Sequence, residues 1–190
     1  MLQVIEIEEN RKAVKNTETG KILVDFIKHT YTEEGAFKNK SKYFVVKTSE
    51  GEAIFDTEGN MVSQWHEQIL PFGAVDGESK FYLAQRENGK WAIFHINGKR
   101  ISKYFDKVFS YGLVQGEGSL YIVKDRHAYA IFNKKGEIVE NWYFQKDDRH
   151  SLNVMLKKLQ KKLTKRNKKT KQGKNIFREN TSNLLKQPKS

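Results

Sequence analysis

The side chains best suited to chemistry are five histidines and 23 acids, in a chain with no cysteine. His29, His66, His95, His127 and His150 never fall at the three- or four-residue spacings that aim two imidazoles at one metal from a helix face. His66-Glu67 and His127 can meet only through folding, and the expectation is histidines on surface strands and turns. No Gly-x-Ser-x-Gly elbow, P-loop, dinucleotide glycine motif or His-Glu-x-x-His helix occurs. Gly116-Glu117-Gly118 lacks the lysine and following helix that a phosphate cradle requires. Asp147-Asp148 resembles a pair of nuclease carboxylates, but two Asp ahead of a helix suit a cap. Asp56, Glu58, Asp106 and Glu137 fall where turns carry solvated charge. This reading predicts a non-enzyme, with no catalytic residue, no metal site and no cofactor.

The chemistry that remains is cationic. Residues 1–150 balance 22 Lys+Arg against 22 Asp+Glu, whereas residues 151–190 set 13 bases against the single acid Glu179. The tail therefore carries the whole net charge of +12. Each base that neutralises a phosphate releases a condensed counterion, so clustered lysines give sequence-independent, salt-sensitive affinity for RNA or DNA. The predicted nucleic-acid contacts are Lys157, Lys158, Lys161, Lys162, Lys165, Arg166, Lys168, Lys169, Lys171 and Lys174. An inert solubilising tail is the second reading, and a membrane surface is the third and unlikeliest.

These bases need an element to hold them. Asp147 to Ser151 offer N-caps, and Leu152, Met155, Leu156, Leu159 and Leu163 recur at steps of three or four. A basic amphipathic helix is predicted over 147–166, its stripe docking on the preceding domain or on a second copy of the chain. That stripe is narrow and has no Trp or Phe, which disfavours lipid. Residues 167–174 have no apolar side chain, and 167–190 read as a basic, largely disordered tail with small apolar islands at Ile176-Phe177 and Leu184-Leu185.

Upstream, three segments superimpose: Ala53-Ile54-Phe55 with Gly59, Ala92-Ile93-Phe94 with Gly98, and Ala130-Ile131-Phe132 with Gly136. Three residues past each glycine comes Val62, Ile101 or Val139, and six past it Trp65, Tyr104 or Trp142. Eleven before each Ile lies Tyr43, Tyr82 or Leu120. Ala13-Val14-Lys15 with Gly20 begins a weaker fourth copy. Short β-branched and aromatic runs bounded by polar-glycine turns predict β-hairpins. The fold class is thus mainly β, an array of three to four antiparallel hairpin or meander repeats over 1–146, followed by the helix and tail. Leu2 to Ile7 alternates as a first strand, and the helix caps the other end. Gly73 and Gly112 recur eight residues after their aromatics, marking a repeated connection.

Gly89-Lys90-Trp91-Ala92-Ile93-Phe94, with Asn97-Gly98 and then Tyr104-Phe105-Asp106, resembles the WG (KWG) β-repeat family. That family has a Gly-Lys-Trp-Gly-like start, a short strand, a basic-Gly turn and a downstream Tyr-Asp pair. Here Ala53, Ala92 and Ala130 replace the second glycine, and only Trp91 keeps the tryptophan. The resemblance spans residues 10–145 and implies a β-hairpin array of the kind found as a structural repeat in diverse bacterial proteins. It implies no activity.

Phe55, Phe94, Phe132, Trp65, Tyr104 and Trp142 recur in register and read as packing. Among aromatics that do not recur, Trp91, Phe109, Tyr111 and Tyr129 are the predicted protein contacts, with Phe72 a lesser one. The mean hydropathy of −0.75, an acidic start and the lack of any apolar run near ~20 residues predict a soluble cytoplasmic protein. The expected function is non-catalytic binding. The β-platform meets a protein or ribonucleoprotein complex while the basic helix and tail hold RNA or DNA. An accessory factor or an inhibitor of a nucleic-acid-processing complex, of the anti-CRISPR kind, fits that plan. The alternative is a structural protein that self-associates through its leucine-rich helix.

Overall fold

In this computed structural model, residues 1–9, 11–70, 73–109, 112–126, 128–144, 157–159 and 161 are described, with 109 and 140–144 described as backbone only. The chain divides into two units, Met1–Asp148 and Arg149–Ser190. In the second unit residues 157–159 and 161 are helical. The rest of the predicted 147–166 helix and the 167–190 tail lie outside the described residues.

The first unit is mainly β. Strands β1 (Leu2–Glu8), β2 (Arg11–Asn16) and β3 (Ile22–Ile27) form sheet I. Strands β4 (His29–Thr30), β5 (Tyr43–Lys47) and β6 (Glu52–Asp56) form sheet II. Sheet III holds β7 (Gln68–Leu70), β8 (Phe81–Gln85) and β9 (Trp91–His95), and sheet IV holds β10 (Lys107–Phe109), β11 (Leu120–Asp125), β12 (Ala128–Asn133) and β13 (Ile138–Phe144). Every pairing is antiparallel and joins strands adjacent in sequence. No helix among the described residues is long and apolar enough to cross a membrane.

The Ala-Ile-Phe motifs lie in β6, β9 and β12, and Ala13-Val14 lies in β2. Side chains alternate across a strand, and here both faces are buried. Ile54 points into a core shared with sheet III, while Ala53 and Phe55 point into one shared with sheet I. Ile93 likewise faces sheet IV, while Ala92 and Phe94 face sheet II. Three clusters thus join sheets I and II, II and III, and III and IV. Each sheet buries its faces on its neighbours in chain order, the packing logic of a repeat array.

The pairing corrects the alignment drawn from spacing. Val45 pairs with Ile54 and Ile122 with Ile131, but Leu83 pairs with Ile93, because the turn after β8 is one residue longer. Equivalent positions are therefore Phe44, Tyr82 and Tyr121, not Tyr43, Tyr82 and Leu120. These three rings are almost fully buried and stack on Phe55, Phe94 and Phe132, with centroids 6.1, 5.5 and 5.7 Å apart. Sheet I places Gln3 and Lys15 at the corresponding pair, polar residues suited to a face against which no sheet packs among the described residues.

The short strand expected after the turn glycine is regular as β3 in sheet I and as β13 in sheet IV. In sheets II and III it shrinks to isolated bridges, Glu52 to His66 and Phe55 to Met61, then Trp91 to Phe105 and Phe94 to Arg100. Between these bridges the Ser63 and Ser102 hydroxyls accept the amide hydrogens of Ile54 and Ile93 at 2.8 Å. The hydroxyl replaces a ladder carbonyl, so neither of these two amides is left unpaired. A further short strand, β4, β7 or β10, which the sequence pattern does not signal, precedes the hairpin of sheets II, III and IV.

Successive units also lock through their connections. The Ser79 hydroxyl donates to the Val114 carbonyl at 2.6 Å, and Ser41 donates to Val75 in the same manner. Gly116 lies so close to the preceding connection that a Cβ there would sit 2.1 Å from the Glu78 carbonyl oxygen.

Candidate functional site

A cleft of about 480 Å³ opens at the rim of the junction between sheets II and III. It is lined by Glu50, Gln64, Trp65, His66, Glu67, Arg86, Glu87, Asn88 and Tyr104. Four segments build it, one of them the stretch after β9 that brings Tyr104. The β5–β6 turn brings Glu50, its backbone held by the Thr48 hydroxyl, which accepts the Glu50 amide at 3.1 Å. The segment after β6 brings Gln64 to Glu67, anchored by mutual backbone hydrogen bonds between Glu52 and His66. The longer β8–β9 turn brings Arg86 to Asn88.

At the floor, His66 is 5% exposed and packs edge-on against Phe94, with centroids 4.8 Å apart. Its Nε2 lies 3.4 Å from the Tyr82 hydroxyl. Burial pulls the imidazole down to about 4, so it is neutral near pH 7. Burial pushes the Tyr82 phenol up, so that hydroxyl stays protonated. Neither group is set up as a nucleophile or as a base near neutral pH.

The walls are aromatic and acidic. Trp65 and Tyr104 are half-buried. The Arg86 guanidinium lies over the Tyr104 ring at 4.4 Å and that of Arg100 at 4.8 Å, and Arg86 also donates to Asn88 at 2.9 Å. Glu50, Glu67 and Glu87 are exposed, and among the described residues their carboxylates meet no hydrogen-bond or ion-pair partner. The lining therefore offers three free carboxylates and one arginine already engaged.

The junction between sheets III and IV follows the same plan and carries a lysine at the equivalent position. Lys90 precedes β9 where Gly51 precedes β6, and its ammonium bonds to Asp106 and lies 3.4 Å from Asp125. Asp106 also accepts the Arg126 amide, which holds that residue at a positive φ of 52° in the β11–β12 turn. The ammonium and the amide together pull the Asp106 carboxyl below its usual range. In the II–III junction Gly51 permits no such lysine. Its φ is +121°, and a Cβ there would lie 2.2 Å from the His66 carbonyl oxygen.

The predicted site residues distribute unevenly. Lys157, Lys158 and Lys161 are exposed on the helix, and Leu159 of its stripe is half-buried. Lys162, Lys165, Arg166, Lys168, Lys169, Lys171 and Lys174 lie outside the described residues, as does Tyr111. Phe109 falls in β10. Tyr129 is 1% exposed, which corrects its expected place at a contact surface. Trp91 is half-buried and packs against the III–IV core. Both also recur, for Trp91 pairs with Gln85 as Tyr129 pairs with Lys124 and Glu52 with Lys47. The expected surface histidine at 66 is buried. Arg86 and the free carboxylates escaped the sequence reading, because nothing in their spacing announces a shared rim. Among the described residues no group of three or more His, Asp or Glu is arranged to hold a metal.

No family model matches the chain, and no curated protein matches it. Solved structures do. Hsv2 of Kluyveromyces lactis matches at 11% identity and a TM-score of 0.40, over 78% of this chain and 49% of that one. A form of that protein with loop 6CD replaced by a Gly-Ser linker matches at 10% and 0.40, over 78% and 51%. The computationally designed Ika4 protein matches at 10% and 0.34, over 76% and 86%. The chain spans about half the length of the Hsv2 chains it matches.

Proposed function

We propose that this is a non-catalytic binding protein. Its repeats, WG-like in pattern, form a platform for a protein or ribonucleoprotein partner, and a basic helix over 147–166 with the tail after it engages RNA or DNA in the cytoplasm. An accessory or inhibitory role on a nucleic-acid-processing complex follows naturally. The observation that carries this reading is charge segregation. The first 150 residues are neutral overall, the remainder holds 13 bases, and Lys157, Lys158 and Lys161 lie on the open side of a helix.

The test is retention of the full chain on RNA and on DNA across a salt gradient, beside a variant carrying Lys157→Glu, Lys158→Glu and Lys161→Glu. Each lost phosphate contact flattens the log–log salt slope by roughly 0.7–0.9. The variant should therefore bind more weakly and less salt-dependently, with its β circular-dichroism signature unchanged. Equal retention at every ionic strength refutes the nucleic-acid role.

Self-assembly is the second reading. It is favoured by Ile22 and Phe26 of sheet I, 40% and 66% exposed. Phe26 also holds a positive φ of 56° under the Arg11 guanidinium, 4.0 Å from its ring centroid. If it is right, Phe26→Ser reduces the oligomer seen in sedimentation without changing nucleic-acid retention.

A further inference from the structure

The molecule contains the same junction twice, with a lysine set in one of them and a glycine in the other. Between sheets III and IV the Lys90 ammonium lies between Asp106 of the segment after β9 and Asp125 at the end of β11. Between sheets II and III the lysine position is Gly51, and the junction bears the 480 Å³ cleft. Glu67 stands where Asp106 stands, thirteen residues past the central Ile of each strand, and Glu50 and Glu87 add two more free carboxylates. Arg86 occupies the place of Asp125, but its guanidinium is engaged by Tyr104 and Asn88. What the cleft offers an incoming group is the Trp65 side chain in its lining and an excess of carboxylates over cations.

We infer that this cleft receives a lysine or arginine side chain from a basic peptide segment of a partner protein, taking the role that Lys90 plays in the neighbouring junction. The cation lies among Glu50, Glu67 and Glu87, and its aliphatic stem covers the half-buried ring of Trp65. An ammonium or guanidinium gains both from carboxylates and from the negative face of an indole. Buried His66 stays neutral beneath it near pH 7, so the floor adds no repelling charge. This rests on the proposed protein-contact role and specifies the chemistry of the partner.

The test is titration of the full chain with a lysine–glycine peptide and with the glutamate–glycine peptide of equal length, followed by the Trp65 indole resonance. The lysine peptide should shift that resonance together with the amides of Gln64 to Glu67 and Arg86 to Asn88. Paired Glu50→Gln and Glu67→Gln changes should weaken the response at least tenfold. Lys90→Ala should create a second responsive patch around Asp106 and Asp125, because it removes the ammonium from the equivalent junction. A lysine peptide that moves Trp65 equally in the glutamine variant, or a Lys90→Ala chain with no second patch, overturns the assignment. Glutamate peptide acting on Trp65 also overturns it, while leaving the protein-contact role standing. If neither peptide moves Trp65, both readings fail at this cleft.

Discussion

The junction between sheets II and III and the one between sheets III and IV start from one plan and end with different surfaces. Both stack a buried tyrosine on a phenylalanine, Tyr82 on Phe94 and Tyr121 on Phe132, with interplanar angles of 17° and 15°. They part at the position facing those rings. His66 there gives the Tyr82 hydroxyl a partner, whereas Phe105 gives Tyr121 none, and the Tyr121 oxygen has no hydrogen-bond partner. They part again at the rim, where Gly51 precedes β6 and the ion-paired Lys90 precedes β9. Interior volume is held constant between copies because a packed core tolerates little change. Rim residues, which carry little packing energy, are where one copy can be specialised.

The comparison breaks first at its base if the two ring stacks are not equivalent. Phe94→Ala and Phe132→Ala should each destabilise the fold by about 3–5 kcal/mol, read from urea midpoints. A large loss at only one would show that the junctions share a pattern without sharing energetics.

The next largest contrast is with acidity. His66 titrates near 6.5 when unfolded and about 4 when folded, so the unfolded chain takes up its proton first. Its contribution is full above pH 6.5 and falls away as pH drops from 6.5 towards 4. His66→Phe, which copies Phe105, should flatten thermal midpoints across that window, and an unchanged pH profile would remove His66 as the source.

Smaller and opposite effects are expected from the two phenols. Tyr121→Phe deletes a buried, unpartnered hydroxyl and should leave stability equal or raise it by about 1 kcal/mol. Tyr82→Phe deletes a hydroxyl with a partner and should lower it by about 1 kcal/mol. Like signs in calorimetry would dissolve the distinction drawn at His66 and Phe105. The smallest shift belongs to Lys90→Ala. Its ammonium is partly exposed, so the loss should shrink further as salt is added, and a salt-independent loss would point to stem packing instead.

How much of this was legible follows from where each signal sits. The Ala-Ile-Phe strands and their turns were readable because motif and turn chemistry lie within a few residues of each other. In the turns, Asp56 and Asn133 side chains accept the amides of Glu58 and Asn60, and of Lys135 and Glu137. Strands β4, β7 and β10 have two or three residues each, too short for alternation to register. The slip in the third unit was hidden because Phe81 and Tyr82 are both aromatic, so either satisfies the spacing. Glu52, Trp91 and Tyr129 share one position, but residue type alone made two of them look singular. The cleft was out of reach, since it depends on what Gly51 lacks and on side chains from a neighbouring sheet.

Because every described core is shared by two sheets consecutive in the chain, no sheet is clamped from afar. Among the described residues, sheet I shares one cluster with a neighbouring sheet, and β1 pairs with β2 alone. Loosening should therefore begin there and travel inward. Amide hydrogens of β1 should exchange with solvent fastest and those of β8 and β9 slowest, a ladder of protection times running along the sequence itself.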